Sequence, residues 1–205
     1  MSLVVDQVMA LAPVIPVLVV DRVEDAVPLA QALVAGGLPA LEVTMRTPVA
    51  LEVMREMATV PGAVVGAGTV LNPKQLDDAL NAGAQFIVSP GLTDTLGKAA
   101  IATKVAFLPG ISTAADIMRG LDLGLERFKF FPASTSGGLP ALKALAAPFN
   151  MVRFCPTGGI SAATAPEWLA ESFVGCVGGS WVVPKGPLDP AKVEALAREA
   201  VALKG

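Results

Sequence analysis

Histidine is absent from this chain. That excludes Ser-His-Asp and Cys-His nucleophilic catalysis and histidine-ligated zinc. Acid–base work must fall to Glu, Asp, Lys, a bound water or the substrate itself. Charge is scarce as well: 16% of the 205 residues are Asp, Glu, Lys or Arg, against about a quarter in ordinary soluble domains. A surface so short of charge predicts that part of it is covered in a homo-oligomer. The formal net charge is −3 and no basic cluster occurs, which argues against nucleic acid as a partner. The two cysteines, Cys155 and Cys176, stand in apolar, strand-like runs; they predict buried thiols of a reducing compartment, not a disulfide. No uncharged apolar run approaches the roughly 18 residues of a membrane span, and the start lacks a basic segment followed by a long apolar one. The expectation is a cytoplasmic protein without a signal peptide or membrane partner.

What is present is apolar, at 53% hydrophobic residues, and regularly punctuated. After a lead-in helix over Val4–Leu11, short runs rich in Val, Ile and Phe alternate with segments of helical spacing. The strands are expected at Val14–Val20, Ala40–Arg46, Val64–Thr69, Gln85–Ser89, Val105–Pro109, Arg127–Phe131, Val152–Thr157 and Val174–Gly178. A helix follows each, at Val23–Ala35, from Thr47-Pro48 to Ala58, at Asn72–Asn81, Thr93–Thr103, Ser112–Leu123, Leu139–Ala147, Ser161–Ala170 and Pro190–Leu203. Strands of this composition are buried on both faces, as in parallel sheets. Eight βα units in one chain of this length predict a single-domain (β/α)₈ TIM barrel over residues 1–205. An open doubly wound sheet would call for a Gly-rich dinucleotide loop after its first strand, and none follows Val20.

Within this pattern one strand is unusual. In Arg127-Phe128-Lys129-Phe130-Phe131, Lys129 shares a face with Arg127 and Phe131, while Phe128 and Phe130 point the other way. Burying an ammonium costs several kcal/mol unless it pairs or loses its proton, and a neutral lysine is a nucleophile suited to Schiff-base formation. The competing reading is a strand-edge lysine reaching to solvent. Lys74, Lys98, Lys143, Lys192 and Lys204 fall at polar helix positions, Lys104 precedes a strand and Lys185 lies in a Pro/Gly loop. Only Lys129 lies inside a strand, which favours the nucleophile. On the second strand Glu42, Thr44 and Arg46 share a face. Glu42 near Lys129 would offset the burial of both; the pair is then either purely structural or the acid/base partner of the lysine. Arg46 suits a bidentate clamp on a substrate carboxylate, or a surface salt bridge. Thr69, after Gly66-Ala67-Gly68, is a hydroxyl at the barrel mouth or a turn residue. Thr157-Gly158-Gly159 and Gly178-Gly179-Ser180 end consecutive strands, where barrels bind phosphate through backbone N–H groups. Either Gly-Gly turn alone is a weak signal.

Several blocks in chain order carry a resemblance. They are Leu41-Glu42-Val43-Thr44-Met45-Arg46-Thr47, Gly66-Ala67-Gly68-Thr69-Val70-Leu71-Asn72-Pro73, Ser89-Pro90-Gly91-Leu92-Thr93 and Pro109-Gly110-Ile111-Ser112-Thr113. Phe128-Lys129-Phe130-Phe131-Pro132-Ala133, Arg153-Phe154-Cys155-Pro156-Thr157-Gly158-Gly159-Ile160 and Gly178-Gly179-Ser180-Trp181 complete the set. The whole chain resembles the class I 2-keto-3-deoxy-6-phosphogluconate (KDPG) aldolases, also called 4-hydroxy-2-oxoglutarate (KHG) aldolases. The resemblance implies a homotrimer of (β/α)₈ barrels with no metal or other cofactor. It assigns Lys129 as the Schiff-base lysine and Glu42 as general acid/base. It places Arg46, Thr69 and Thr157 around the pyruvyl group, Pro90 and Phe131 as apolar walls, and Gly159, Gly179 and Ser180 in the phosphate site. The implied reaction is reversible cleavage of KDPG to pyruvate and glyceraldehyde 3-phosphate, with cleavage of 4-hydroxy-2-oxoglutarate beside it. One departure stands out: Ser134 occupies a position where the family usually carries Glu. Two rival classes are a divalent-metal pyruvate aldolase, whose second oxygen ligand would have to be Asp21, and a non-catalytic trimeric barrel scaffold, natural or engineered.

Overall fold

The computed structural model of the chain describes residues 4–203; Lys204 and the outermost ends of the expected domain lie outside them. Helix and strand alternate as the apolar periodicity predicts. Helix α1 (Val5–Ala10) leads into β1 (Val14–Leu18), α2 (Ala26–Ala35), β2 (Ala40–Thr44), α3 (Ala50–Met57), β3 (Val64–Gly68) and α4 (Pro73–Asn81). Then follow β4 (Phe86–Val88), α5 (Asp94–Thr103), β5 (Ala106–Leu108), β6 (Gly110–Ile111), α6 (Ala114–Asp122) and β7 (Arg127–Phe130). The chain continues through α7 (Gly138–Ala146), β8 (Arg153–Pro156), α8 (Ala165–Leu169), β9 (Val177–Gly179) and α9 (Pro190–Val201). All pairings are parallel, in a curled six-stranded sheet of order β5-β4-β3-β2-β1-β9 and a three-stranded sheet β6-β7-β8. Isolated parallel bridges link Phe154 with Val174 and Thr157 with Gly178.

Local chemistry sets the helix starts. The Asn72 side chain accepts the Gln75 N–H at 2.9 Å ahead of Pro73, and Thr93 does the same for Leu96 at 3.2 Å. Such caps satisfy amides that have no partner inside the helix. Two expectations need correction. Thr47-Pro48 does not open α3, which starts at Ala50, because the Thr47 hydroxyl donates to the Val20 carbonyl at 2.9 Å and ties a turn to the end of β1. The expected strand over Val105–Pro109 is the front half of a longer extended segment divided into β5 and β6 at Pro109. Proline has no N–H for the ladder, but its carbonyl accepts from Lys129 N–H at 2.8 Å, which holds β7 in place.

The strands bury both faces. Leu41, Val43, Phe128, Phe130 and Phe154 join the larger core beneath the helices. Ile15, Ala40, Phe86, Val88, Leu108, Cys155 and Cys176 make a second cluster on the concave side, closed by Val8 and Met9 of α1. Asp6 of α1 forms an ion pair with Arg127 at the start of β7. Both cysteines are buried, as expected. Gly66 belongs to this packing, because a Cβ there would overlap the ring of Phe86 on the neighbouring strand.

Candidate active site

Alternation along β2 and β7 turns Glu42 and Lys129 away from the helices. Glu42 lies between Val17 of β1 and Gly66 of β3, and Lys129 between Gly110 of β6 and Cys155 of β8. The two residues come from different sheets and meet across the space between them. Lys129 Nζ lies 3.1 Å from Glu42 Oε1, with side chains only 7% and 3% exposed. Lys129 is therefore a buried, paired amine and does not reach to solvent. Its Nζ also stands 5.2 Å from the centroid of the Phe131 ring, a geometry in which a cation gains about 0.5–2 kcal/mol. A buried ion pair is a poor device for stability, since well-packed apolar residues in its place are often neutral or better by about 1–4 kcal/mol. The chemistry it permits is an amine held against a proton acceptor in a site shielded from water.

The other predicted residues lie at or just past the C-terminal ends of the strands. Arg46, expected as the last residue of the second strand, stands exposed in the turn after β2, which ends at Thr44, and makes no ion pair among the described residues. Thr69 lies just past β3 at φ 61°, a conformation unusual for a β-branched residue and characteristic of functional positions. It does not cap α4; Asn72 does. Pro90 is half-buried after β4, and Gly110 lies so close that a Cβ would collide with the Pro90 carbonyl. Thr157 is buried, its Oγ1 3.4 Å from the Cys155 carbonyl and 3.8 Å from Cys155 Sγ. The Thr157–Gly178 bridge brings the two Gly-Gly turns side by side. Among the described residues no protein acceptor takes the N–H groups of Gly159, Ile160, Ser180 or Trp181. A cleft of about 930 Å³ opens at Ser180 between the end of β1 and the Trp181–Asp189 loop; Val17, the strand partner of Glu42, lines it, while the ion pair itself does not. Asp21 lies in that cleft, and no group of three or more His, Cys, Asp or Glu gathers among the described residues.

Comparison with known proteins shows the family. A profile of the KDPG and KHG aldolases matches residues 5–198. The chain belongs to the KDPG and KHG aldolase family. It is 64% identical over 200 residues to the 2-dehydro-3-deoxy-phosphogluconate aldolase of Zymomonas mobilis, covering 98% of this chain and 96% of that one. A crystal structure of the Zymomonas mobilis ZM4 aldolase with 3-phosphoglycerate superposes with a TM-score of 0.96 at 63% identity, over 97% and 95% of the two chains. The Legionella pneumophila KDPG aldolase, with pyruvate captured as a covalent carbinolamine, superposes with a TM-score of 0.93 at 44% identity, over 96% and 97%.

In this member of the aldolase family, sequence reasoning placed the ion pair and missed its support. Gly68 is the Cα partner of Thr44 on β2, and a Cβ at Gly68 would overlap Glu42 Oε1 and come within 2.6 Å of its Cγ and 2.9 Å of its Cδ. Glycine at this height is what leaves room for the carboxylate. The available signal was two glycines at alternate positions of one strand, the mark of a crowded face. Thr44 was placed on the same face without a role; its hydroxyl donates to the Leu18 carbonyl at 2.7 Å and fastens β2 to β1. Gly68→Ala should push Glu42 off Lys129. We expect kcat to fall at least tenfold, with a stability loss of about 1–3 kcal/mol from overpacking. Steady-state kinetics and urea denaturation check both.

Proposed function

We propose that the protein is a Schiff-base aldolase that reversibly cleaves KDPG to pyruvate and glyceraldehyde 3-phosphate, and 4-hydroxy-2-oxoglutarate to pyruvate and glyoxylate. The observation that carries this reading is the buried Lys129–Glu42 pair at 3.1 Å in a chain of this family. The Lys129 amine adds to the C2 ketone, and the carbinolamine loses water to give an iminium. Glu42, directly or through water, takes the C4 hydroxyl proton. The C3–C4 bond then breaks, its electron pair passing into the iminium to leave an enamine and the aldehyde. Protonation at C3 and hydrolysis release pyruvate and free Lys129. Arg46 clamps the pyruvyl carboxylate with Thr69 and Thr157 beside it, and Pro90 and Phe131 wall the site. The Gly158-Gly159 and Gly178-Gly179-Ser180 turns hold the phosphate through their backbone N–H groups.

In this reading the two sheets make one single-domain (β/α)₈ barrel, closed by the Phe154–Val174 and Thr157–Gly178 bridges on one side and by continuity through Pro109 on the other. It needs no metal and works as a homotrimer in the cytoplasm. The low charge content and the exposed side chains of Leu71, Ile101 and Met118 support a covered surface. Among the described residues no helix is long and apolar enough to cross a membrane. The direct test is release of pyruvate from KDPG, coupled to NADH oxidation by lactate dehydrogenase, with and without a chelator. Equal rates are expected. Absence of pyruvate, or loss of activity with chelator, would overturn the reading.

A further inference from the structure

Five polar or charged residues are buried among the described residues: Glu42, Thr44, Ser89, Lys129 and Thr157. Ser89, fully shielded from solvent just past β4, is the one with no part in the site so far. A buried hydroxyl costs free energy unless it is hydrogen-bonded. The Ser89 hydroxyl donates to the Gly91 carbonyl at 2.7 Å and so closes a turn whose middle residue is Pro90. Gly110 meets the same turn. A Cβ built on Gly110 would overlap the Pro90 carbonyl and come within 2.7 Å of the Gly91 nitrogen. Gly110 is also the Cα partner of Lys129, and paired residues of neighbouring strands send their side chains to the same face. The Pro90–Gly91 peptide therefore occupies the side-chain place next to the lysine.

Packing alone does not keep the turn there. A cleft of about 370 Å³ borders it, lined by Leu71, Pro90, Gly91, Leu92 and Ile111 among others. Nothing lies within 4 Å of the place a Gly91 Cβ would take. The Ser89 bond and the bare backbone of Gly110 hold Pro90 at this height, with space beside it to retreat into. In the aldolase reading the substrate carboxylate goes to Arg46 and C2 to Lys129. Only the carbon at C3 is left to meet an apolar wall such as Pro90. In the sugar acid C3 carries one carbon substituent, C4. A wall fixed against C3 leaves room for that one and not for a second.

We propose that Ser89 and Gly110 are positioning residues that fix the Pro90 wall and thereby restrict the donor site to 2-keto acids with at most one carbon substituent at C3. The proposal rests on the aldolase reading above and deepens it: these two residues, without touching substrate, set which keto acids Lys129 takes up.

The test measures trapping of three keto acids on Lys129 by borohydride, in wild type and in Ser89→Ala. Pyruvate has no carbon substituent at C3, 2-oxobutanoate has one and 3-methyl-2-oxobutanoate has two. Each trapping rate is divided by that for pyruvate in the same protein, and the variant's ratio by that of wild type, so the intrinsic reactivity of each keto acid cancels. One methylene against a fitted apolar wall is worth about 10–200-fold. Ser89→Ala, which frees the turn, should raise the ratio for 3-methyl-2-oxobutanoate by about tenfold or more and leave that for 2-oxobutanoate within about twofold. A hydroxyl with a merely structural role would slow all three keto acids together. If Ser89→Ala traps pyruvate and both ratios stay within about twofold of wild type, the positioning proposal is wrong and the aldolase reading stands. Should Ser89→Ala trap no pyruvate, Ser89→Cys, close to serine in shape but a weaker donor, is read by the same criterion. If wild type traps no pyruvate on any lysine, both readings fall together.

Discussion

Replacing Lys129 by alanine should lower kcat/KM for KDPG cleavage by roughly 10⁴–10⁶-fold, the scale on which removal of a covalent nucleophile acts. Among the described residues of the site no other side chain offers an amine, since Arg46 carries a guanidinium. The variant should also be less stable. It leaves Glu42, 3% exposed, without its partner, and breaking a buried pair from one side costs about 3–5 kcal/mol. A double replacement separates the two roles. Lys129→Met with Glu42→Leu fills the same space with apolar atoms and should be as stable as wild type or more so, yet equally inactive. Thermal denaturation alongside the coupled assay distinguishes these outcomes. A double variant that unfolds would mean that the pair is kept for the fold and not for chemistry.

Glu42→Gln gives the second largest effect. The amide keeps the shape of the carboxylate and a hydrogen bond to Lys129, but cannot take a proton, so kcat should fall by about 10²–10⁴-fold. KM should change little, because the proposed substrate ligands Arg46, Gly159, Gly179 and Ser180 are untouched. Pyruvate should still form a reducible adduct, more slowly, since carbinolamine dehydration also needs proton transfer. A glutamine variant with full kcat would assign proton transfer to another group, and the remaining candidate would be a water held by Thr44 or Thr157.

How much of this was legible without coordinates depends on the range of the interaction. Alternation in Ala40–Thr44 and Arg127–Phe130 separates the faces, and the facing positions of Glu42 and Lys129 follow from the cost of burying either alone. Caps such as Asn72 and Thr93 are written in a few neighbouring residues. Thr47 was misread because its local appearance, Thr before Pro, is that of a cap, while its actual partner, the Val20 carbonyl, lies 27 residues away. The division of the fifth expected strand at Pro109 is a backbone event whose reward, the bond from Lys129 N–H, also comes from far along the chain. Gly68 and Gly159 were legible as turn or close-approach glycines, but not as the seats of Glu42 and Ser134, because what a missing Cβ makes room for is fixed only by the neighbouring strand or loop.

The central claim is that Lys129 is the nucleophile. Incubating the protein with pyruvate and borohydride, digesting it and measuring peptide masses tests this most directly. The account predicts one reduced pyruvyl adduct, carried by the peptide containing Lys129 and formed equally well with a chelator present. An adduct on another lysine, or none while KDPG is still cleaved, would contradict it.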